Sequence, residues 1–98
     1  MPKFRKKPVV IQAFQMTRDA RNRFEEWPSW LREAYNEDEG IVGSLCFDDE
    51  RDGFTIETLE SDHFGEWDDW VIQGVKLELY SCKPDIFAET YEPVREGE

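Results

Sequence analysis

The apolar positions along this chain change period several times, and each change marks an element. Residues 8–15, PVVIQAFQ, alternate with period two: Val9, Ile11 and Ala13 fall on one face, Val10, Gln12 and Phe14 on the other. That predicts a strand. Pro8 and the lysines before it suit a strand start or an edge, where a missing N–H does no harm. Thr17 stands at the N-cap of a short helix over 18–26. Pro28 then biases Trp27 away from helical geometry and opens a second helix, PSWLREAYNED. In that helix Trp27, Trp30, Leu31, Ala34 and Tyr35 recur at spacings of three and four, a stripe that reads as the face packed on a sheet. Gly40 ends the segment.

Beyond it the period returns to two. GIVGSLCF (40–47) is a strand candidate weakened by Gly43, DDERDG (48–53) is a turn, and FTIETLE (54–60) alternates with one slip near Thr58. ESDHFGEWD reads as a connection carrying Phe64 and Trp67. WVIQGV (70–75) and KLELYSC (76–82) form a hairpin around Gln73-Gly74 or Val75-Lys76. KPDIFAET offers one helical turn with Pro84 near its start, and TYEPV closes the sheet. Within 69–94, Val71, Val75, Leu77, Leu79, Ile86, Phe87 and Tyr91 are expected to supply half of a small core. The predicted fold class is α+β: a mostly antiparallel sheet of five or six strands, with the helical segment 18–37 packed on a face. One domain spans 1–98.

Composition supports a folded chain. At 98 residues there is room for one core and none for a second lobe. Four Trp, seven Phe and three Tyr supply volume that a 36% charged chain would otherwise lack. No apolar run approaches the roughly 18 residues that span a bilayer, and the basic start is followed by no small-residue cleavage site. The expectation is a cytoplasmic protein with no signal peptide and no membrane association. Cys46 and Cys82 lie 36 positions apart with no CxxC, as free thiols in a reducing compartment do.

Charge is divided unevenly. Residues 1–24 hold seven Lys/Arg against Asp19, a net of +6, while 25–98 hold five against 22 Asp/Glu, a net of −17. The acidic majority repels nucleic acid and anionic membrane at long range, so no direct DNA binding is expected. The basic start can pair with its own acidic body, with a neighbouring copy, or with an anionic ligand.

Candidate chemistry is sparse. DDERDG loosely follows calcium-loop spacing through Asp48, Glu50 and Asp52, but Leu59 stands where the closing Glu belongs and the flanks read as strands. It reads as an acidic hairpin turn, with no metal. His63 is the lone histidine; Asp62 and Glu60 are near it, yet no nucleophile elbow or triad pattern accompanies it. For an anionic or nucleotide ligand, Lys83 and the N–H groups opening KPDIF can hold a phosphate, Arg5, Lys6 and Lys7 can add charge, and Trp67, Trp70 or Tyr80 can stack on a base. The binding candidates are therefore Lys83, Tyr80, Trp70, Arg5, Lys6 and Lys7. No catalytic residue is assigned and no cofactor is expected.

In WPSWLREAYNEDEG, IETLES, DWVIQGVK, ELYSCKPDIFAETYEPV and the opening KFRKKPVVIQAF, the chain resembles a widespread family of small phage and prophage proteins. Members share a K-F-R-K-K-P-V-V-I-E-A start, a G-D-W-I-I-x-G-V-K-G-E segment and a Y-P-C-K-P-D-I-F-x-x-T-Y-E close, so the likeness covers most of the chain. Three positions depart: Asp68 and Leu77 replace glycines, and Ser81 replaces a proline. The missing glycines imply looser turns, or neighbours that absorb the strain. The family has no established activity, so the resemblance implies a phage-encoded protein acting in a bacterial cytoplasm. The leading expectation is a binding module without enzymatic activity, able to form homo-oligomers through its opposite charges. It would act on a host factor in an anti-defence role, by blocking a protein or sequestering a signalling nucleotide. The alternatives are an acidic DNA mimic, and a small hydrolase-like enzyme built on His63 and the nearby carboxylates.

Overall fold

The computed structural model describes residues 2–4 and 9–94. These form, in order, β1 (Gln12–Gln15), α1 (Arg18–Arg21), a 3-10 turn (Phe24–Glu26), α2 (Ser29–Asn36), β2 (Leu45–Asp48), β3 (Gly53–Glu57), β4 (Asp62–Glu66), β5 (Trp70–Gln73), β6 (Leu79–Cys82) and α3 (Pro84–Thr90). The fold class is α+β with six strands, all paired antiparallel among the described residues. The six divide into two three-stranded sheets, β1-β5-β6 and β2-β3-β4, which meet where β6 runs beside β4. The division is made at Asp68, whose φ of 82° turns the chain sharply out of β4. Asp68 N–H then donates to the Met16 carbonyl (2.7 Å) and Met16 N–H to that of Asp69 (2.9 Å), which extends the β1–β5 ladder past the corner.

The helical segment follows its local signals. Thr17 accepts a hydrogen bond from Ala20 N–H and caps α1. Trp27, held extended at ψ 146° before Pro28, separates the 3-10 turn from α2. Elsewhere the strand pattern is corrected. Residues 40–44 are not a strand, because Gly40 and Gly43 take φ of 88° and 92°. The expected connection at 61–67 contains β4, in which Gly65 leaves room for the Phe54 ring on β3; a Cβ there would overlap it. TYEPV closes no sheet: α3 runs on to Thr90, and Pro93 offers no N–H to a ladder.

The core also sits differently from the expectation. Met16, Leu31, Leu45, Phe54, Ile56 and Val71 are fully buried around Trp27, drawn from both sheets and α2. Of the C-terminal residues, Val71 and Leu79 join this core, and Phe87 and Tyr91 are half-buried. Val75, Leu77 and Ile86 are exposed. Val75 and Leu77 fall in the five-residue turn between β5 and β6, and Ile86 sits on the face of α3 that Phe87 and Tyr91 do not use. No helix among the described residues is long and apolar enough to cross a membrane.

Trp27 is buried while Trp30 is half-buried, so the two indoles should differ in cost. Trp27→Ala is expected to lose about 3–5 kcal/mol in urea unfolding, the scale of a fully buried aromatic, and Trp30→Ala distinctly less. Equal losses would mean that α2 docks through Trp30.

Candidate functional site

The three described binding candidates are neighbours, but each already has a partner. Lys83 precedes α3, and its ammonium lies 3.1 Å from Asp69 Oδ2 and 3.6 Å from Glu66 Oε2. Asp69 is buried, and the same oxygen accepts from Glu66 N–H at 3.0 Å. The hydrogen bond to Asp69 holds the Lys83 pKa above its ordinary value. An anion arriving there would meet two carboxylates. α3 is a seven-residue helix, too short to add a useful dipole. The Trp70 ring is stacked on Phe87 at 4.0 Å and 5°, so one face is covered. Tyr80 Oη lies 3.3 Å from Tyr91 Oη, and burial, followed by that contact, pushes its pKa up. Trp70, Phe87 and Tyr91 border an outer cleft with Val9, Val10 and Ile11. Arg5, Lys6 and Lys7 lie outside the described residues.

The basic start and the acidic turn are joined to each other. Arg18 pairs with Asp52, and Arg21 with Asp49 at 2.7 Å. The Arg21 guanidinium lies over the rings of Phe47 and Trp67, at 4.5 and 5.4 Å from their centroids. Asp52 also accepts from Trp67 Nε1 at 2.9 Å, and Asp48 accepts from Arg51 N–H and Nε. Asp48, Asp49 and Asp52 of the calcium-like loop are therefore internal fasteners. No group of three or more His, Cys, Asp or Glu among the described residues is placed to hold a metal ion.

His63 is on β4, opposite Ile56, and Asp62 is opposite Glu57. Strand alternation sends Asp62 to the other face, so it cannot orient the imidazole. His63 instead borders an open groove of about 490 Å³ where the two sheets meet, with Val42, Leu59, Leu77, Leu79 and Tyr80 as its apolar wall and Glu57, Glu60, Glu78 and Lys76 at the rim. Leu59 is 90% exposed, Leu77 73% and Val42 53%. Leu77 has φ 66°, a left-handed conformation that costs a side chain roughly 1–2 kcal/mol. The turn is closed by Leu77 N–H to the Gly74 carbonyl and Gly74 N–H to that of Glu78 (2.9 and 2.8 Å).

No protein-family profile, curated protein or solved structure matches the chain. Chemistry alone has to carry the functional reading. The two residues that replace glycines of the resembled pattern, Asp68 and Leu77, are both left-handed. Both turns are closed by hydrogen bonds, from Asp68 N–H to the Met16 carbonyl and from Leu77 N–H to that of Gly74. Sequence reading missed the groove, because its wall comes from a strand slip (Leu59), two turns (Val42, Leu77) and two strands (His63, Leu79). The one available signal was a leucine where a glycine is expected.

The far face of β2-β3-β4 is acidic, with Asp48, Glu57 and Asp62 beside Cys46. Burial is the first cause raising the thiols of Cys46 and Cys82, which keeps both protonated near neutrality. Glu57 and Asp62 face each other across β3 and β4. Asp62 raises the Glu57 pKa above its ordinary 4.5, while Asp48 and Asp52 are lowered below 3.8, chiefly by hydrogen bonds from Arg51 and Arg18 respectively.

The signs are opposite. The Glu57 repulsion is present above its raised pKa and disappears as the pH falls toward 4.5, whereas the Asp48 and Asp52 contributions are present above 3.8 and are lost as the pH falls through their lowered values. Glu57→Gln should therefore raise Tm at pH 7 and leave it unchanged at pH 4; a pH-independent gain would exclude Asp62 as the cause. Leu77→Gly relieves the left-handed strain and should add about 0.5–1 kcal/mol in denaturant titration. A loss there would mean that the Leu77 side chain packs productively in the free protein.

Proposed function

We propose that this chain is a small binding protein with no reaction of its own, which docks on a basic, partly apolar segment of another protein. The observation that carries this reading is the groove between the sheets: Leu59, Leu77 and Val42 stand exposed beside Glu57, Glu60 and Glu78. A grouped apolar surface with a polar rim is the usual mark of a protein contact, and an acidic rim selects a basic partner. Leu77 in particular is 73% exposed and held left-handed in the free fold. The resemblance to phage proteins makes the partner a factor of the bacterial host, met in its cytoplasm, and the effect the blocking of a defence protein. Sequestration of a signalling nucleotide at Lys83, Trp70 and Tyr80 is the weaker branch, since Asp69 and Glu66 already neutralise that lysine.

A second reading rests on the acidic face. Glu57 and Asp62 are held opposite each other against their mutual repulsion, as a surface imitating DNA phosphates would require. Both readings name a basic partner, and they differ in which face it touches.

Capture from host lysate with paired variants separates them. Under the groove reading, the basic protein retained by the wild type is lost from Leu59→Ser and Leu77→Ser and kept by Asp62→Asn, since Asp62 lines the acidic face and not the groove. The reverse pattern assigns function to the acidic face. Retention by every variant refutes both readings, and a rise in Tm with linear or cyclic nucleotides would move the site to Lys83.

A further inference from the structure

We propose that the same groove accepts the N-terminal segment of a second copy of this chain, so that the protein assembles head-to-tail and covers its own docking surface. The inference rests on the reading of the groove as a protein-docking surface and names what fills it in the absence of a host partner. Residues 2–10, PKFRKKPVV, combine Lys3, Arg5, Lys6 and Lys7 with Phe4, Val9 and Val10 and contain no acid. That is the chemistry the groove selects: apolar side chains for Leu59, Leu77 and Val42, and cations for Glu57, Glu60 and Glu78. The apolar residues of the segment are largely exposed in its own fold. Phe4 is 93% exposed, and Val9 and Val10 are exposed as well.

Topology favours a second copy. The segment leads into β1, at one edge of the β1-β5-β6 sheet, while the groove lies beyond β6 at the other edge. β1 and the groove lie at different edges of the sheet, so each copy can give one segment and receive another. Such heterologous contacts close into rings or extend into chains. The net charge of −11 opposes association of whole molecules, which leaves the four cations of residues 2–10 as the natural donor toward an acidic rim.

Sedimentation velocity of the full chain should show a mass above the monomer that grows with concentration. Leu77→Gly and Leu59→Ser should each return it to monomer, and Leu77→Gly should do so while raising Tm, which a variant that merely damaged the fold would not. A fluorescein-labelled peptide of residues 1–11 should bind the full chain, more weakly at higher salt, with affinity about tenfold lower in either groove variant. Self-association that survives both variants overturns the inference, as does a chain that stays monomeric at all concentrations, whether or not the peptide binds. A monomer that still loses its host partner in the groove variants sinks the assembly alone and leaves the docking reading intact.

Discussion

Trp27 is the point at which the two sheets become one protein. Its ring lies 6.3 Å from Phe14 of β1, 5.9 Å from Phe47 of β2, 5.0 Å from Phe24 of the 3-10 turn and 5.7 Å from Tyr35 of α2. Each three-stranded sheet alone has one apolar face and too little area to bury it. One side chain touching both sheets and both helical pieces joins those faces into a common core. Its Nε1–H donates to the Ala20 carbonyl at 2.8 Å, so the buried indole leaves no unpaired donor. The extended backbone that Pro28 demands of Trp27 is what lets the ring turn inward between the 3-10 turn and α2.

Around that centre the uneven charge of the chain acts as a fastener. α1 carries Arg18 and Arg21 over the β2–β3 turn, where Asp52 and Asp49 receive them. These pairs are exposed, and exposed pairs contribute little each. Arg21 does more by position: its guanidinium covers Phe47 and Trp67, shielding the margin of the core that Trp27 organises. Asp52, left-handed at φ 61°, is fixed by Arg18 and the Trp67 indole together. Part of the +6 region is thus answered within the molecule, through Arg18 and Arg21.

What could be read from the sequence was local. Thr17 as a cap, the break at Trp27-Pro28, the acidic turn at 48–53 and the β5–β6 hairpin each follow from one or two residues with strong backbone preferences. What failed depended on distant partners. DHFGE carries Asp and Gly, poor strand formers, yet it pairs along β3 because Gly65 makes room for Phe54, eleven residues earlier. Leu77 and Val75 continue an apolar alternation and were expected inside, but Gly74 and the hydrogen bonds to its backbone turn the chain first. The surroundings of the candidate site were hidden for the same reason. Lys83 looks like a free cation until Asp69 and Glu66 are placed beside it.

Two features of this surface work against the stability of the free molecule: a left-handed exposed leucine at one side of the inter-sheet junction, and a pair of facing carboxylates on the outer side of β3 and β4. Neither lies in the core, since Leu77 is 73% exposed and Glu57 and Asp62 line the acidic outer face. A chain selected for folding alone would replace both, with glycine in the turn and a neutral residue on the strand. Strain and repulsion that do not stabilise the fold support the proposal of a docked partner. Leu77 borders the groove and Glu57 forms part of its rim. The two anomalies therefore meet at Glu57, which lines both the groove and the acidic outer face, where the proposed apolar and basic partner would cover the leucine and offset the carboxylate repulsion.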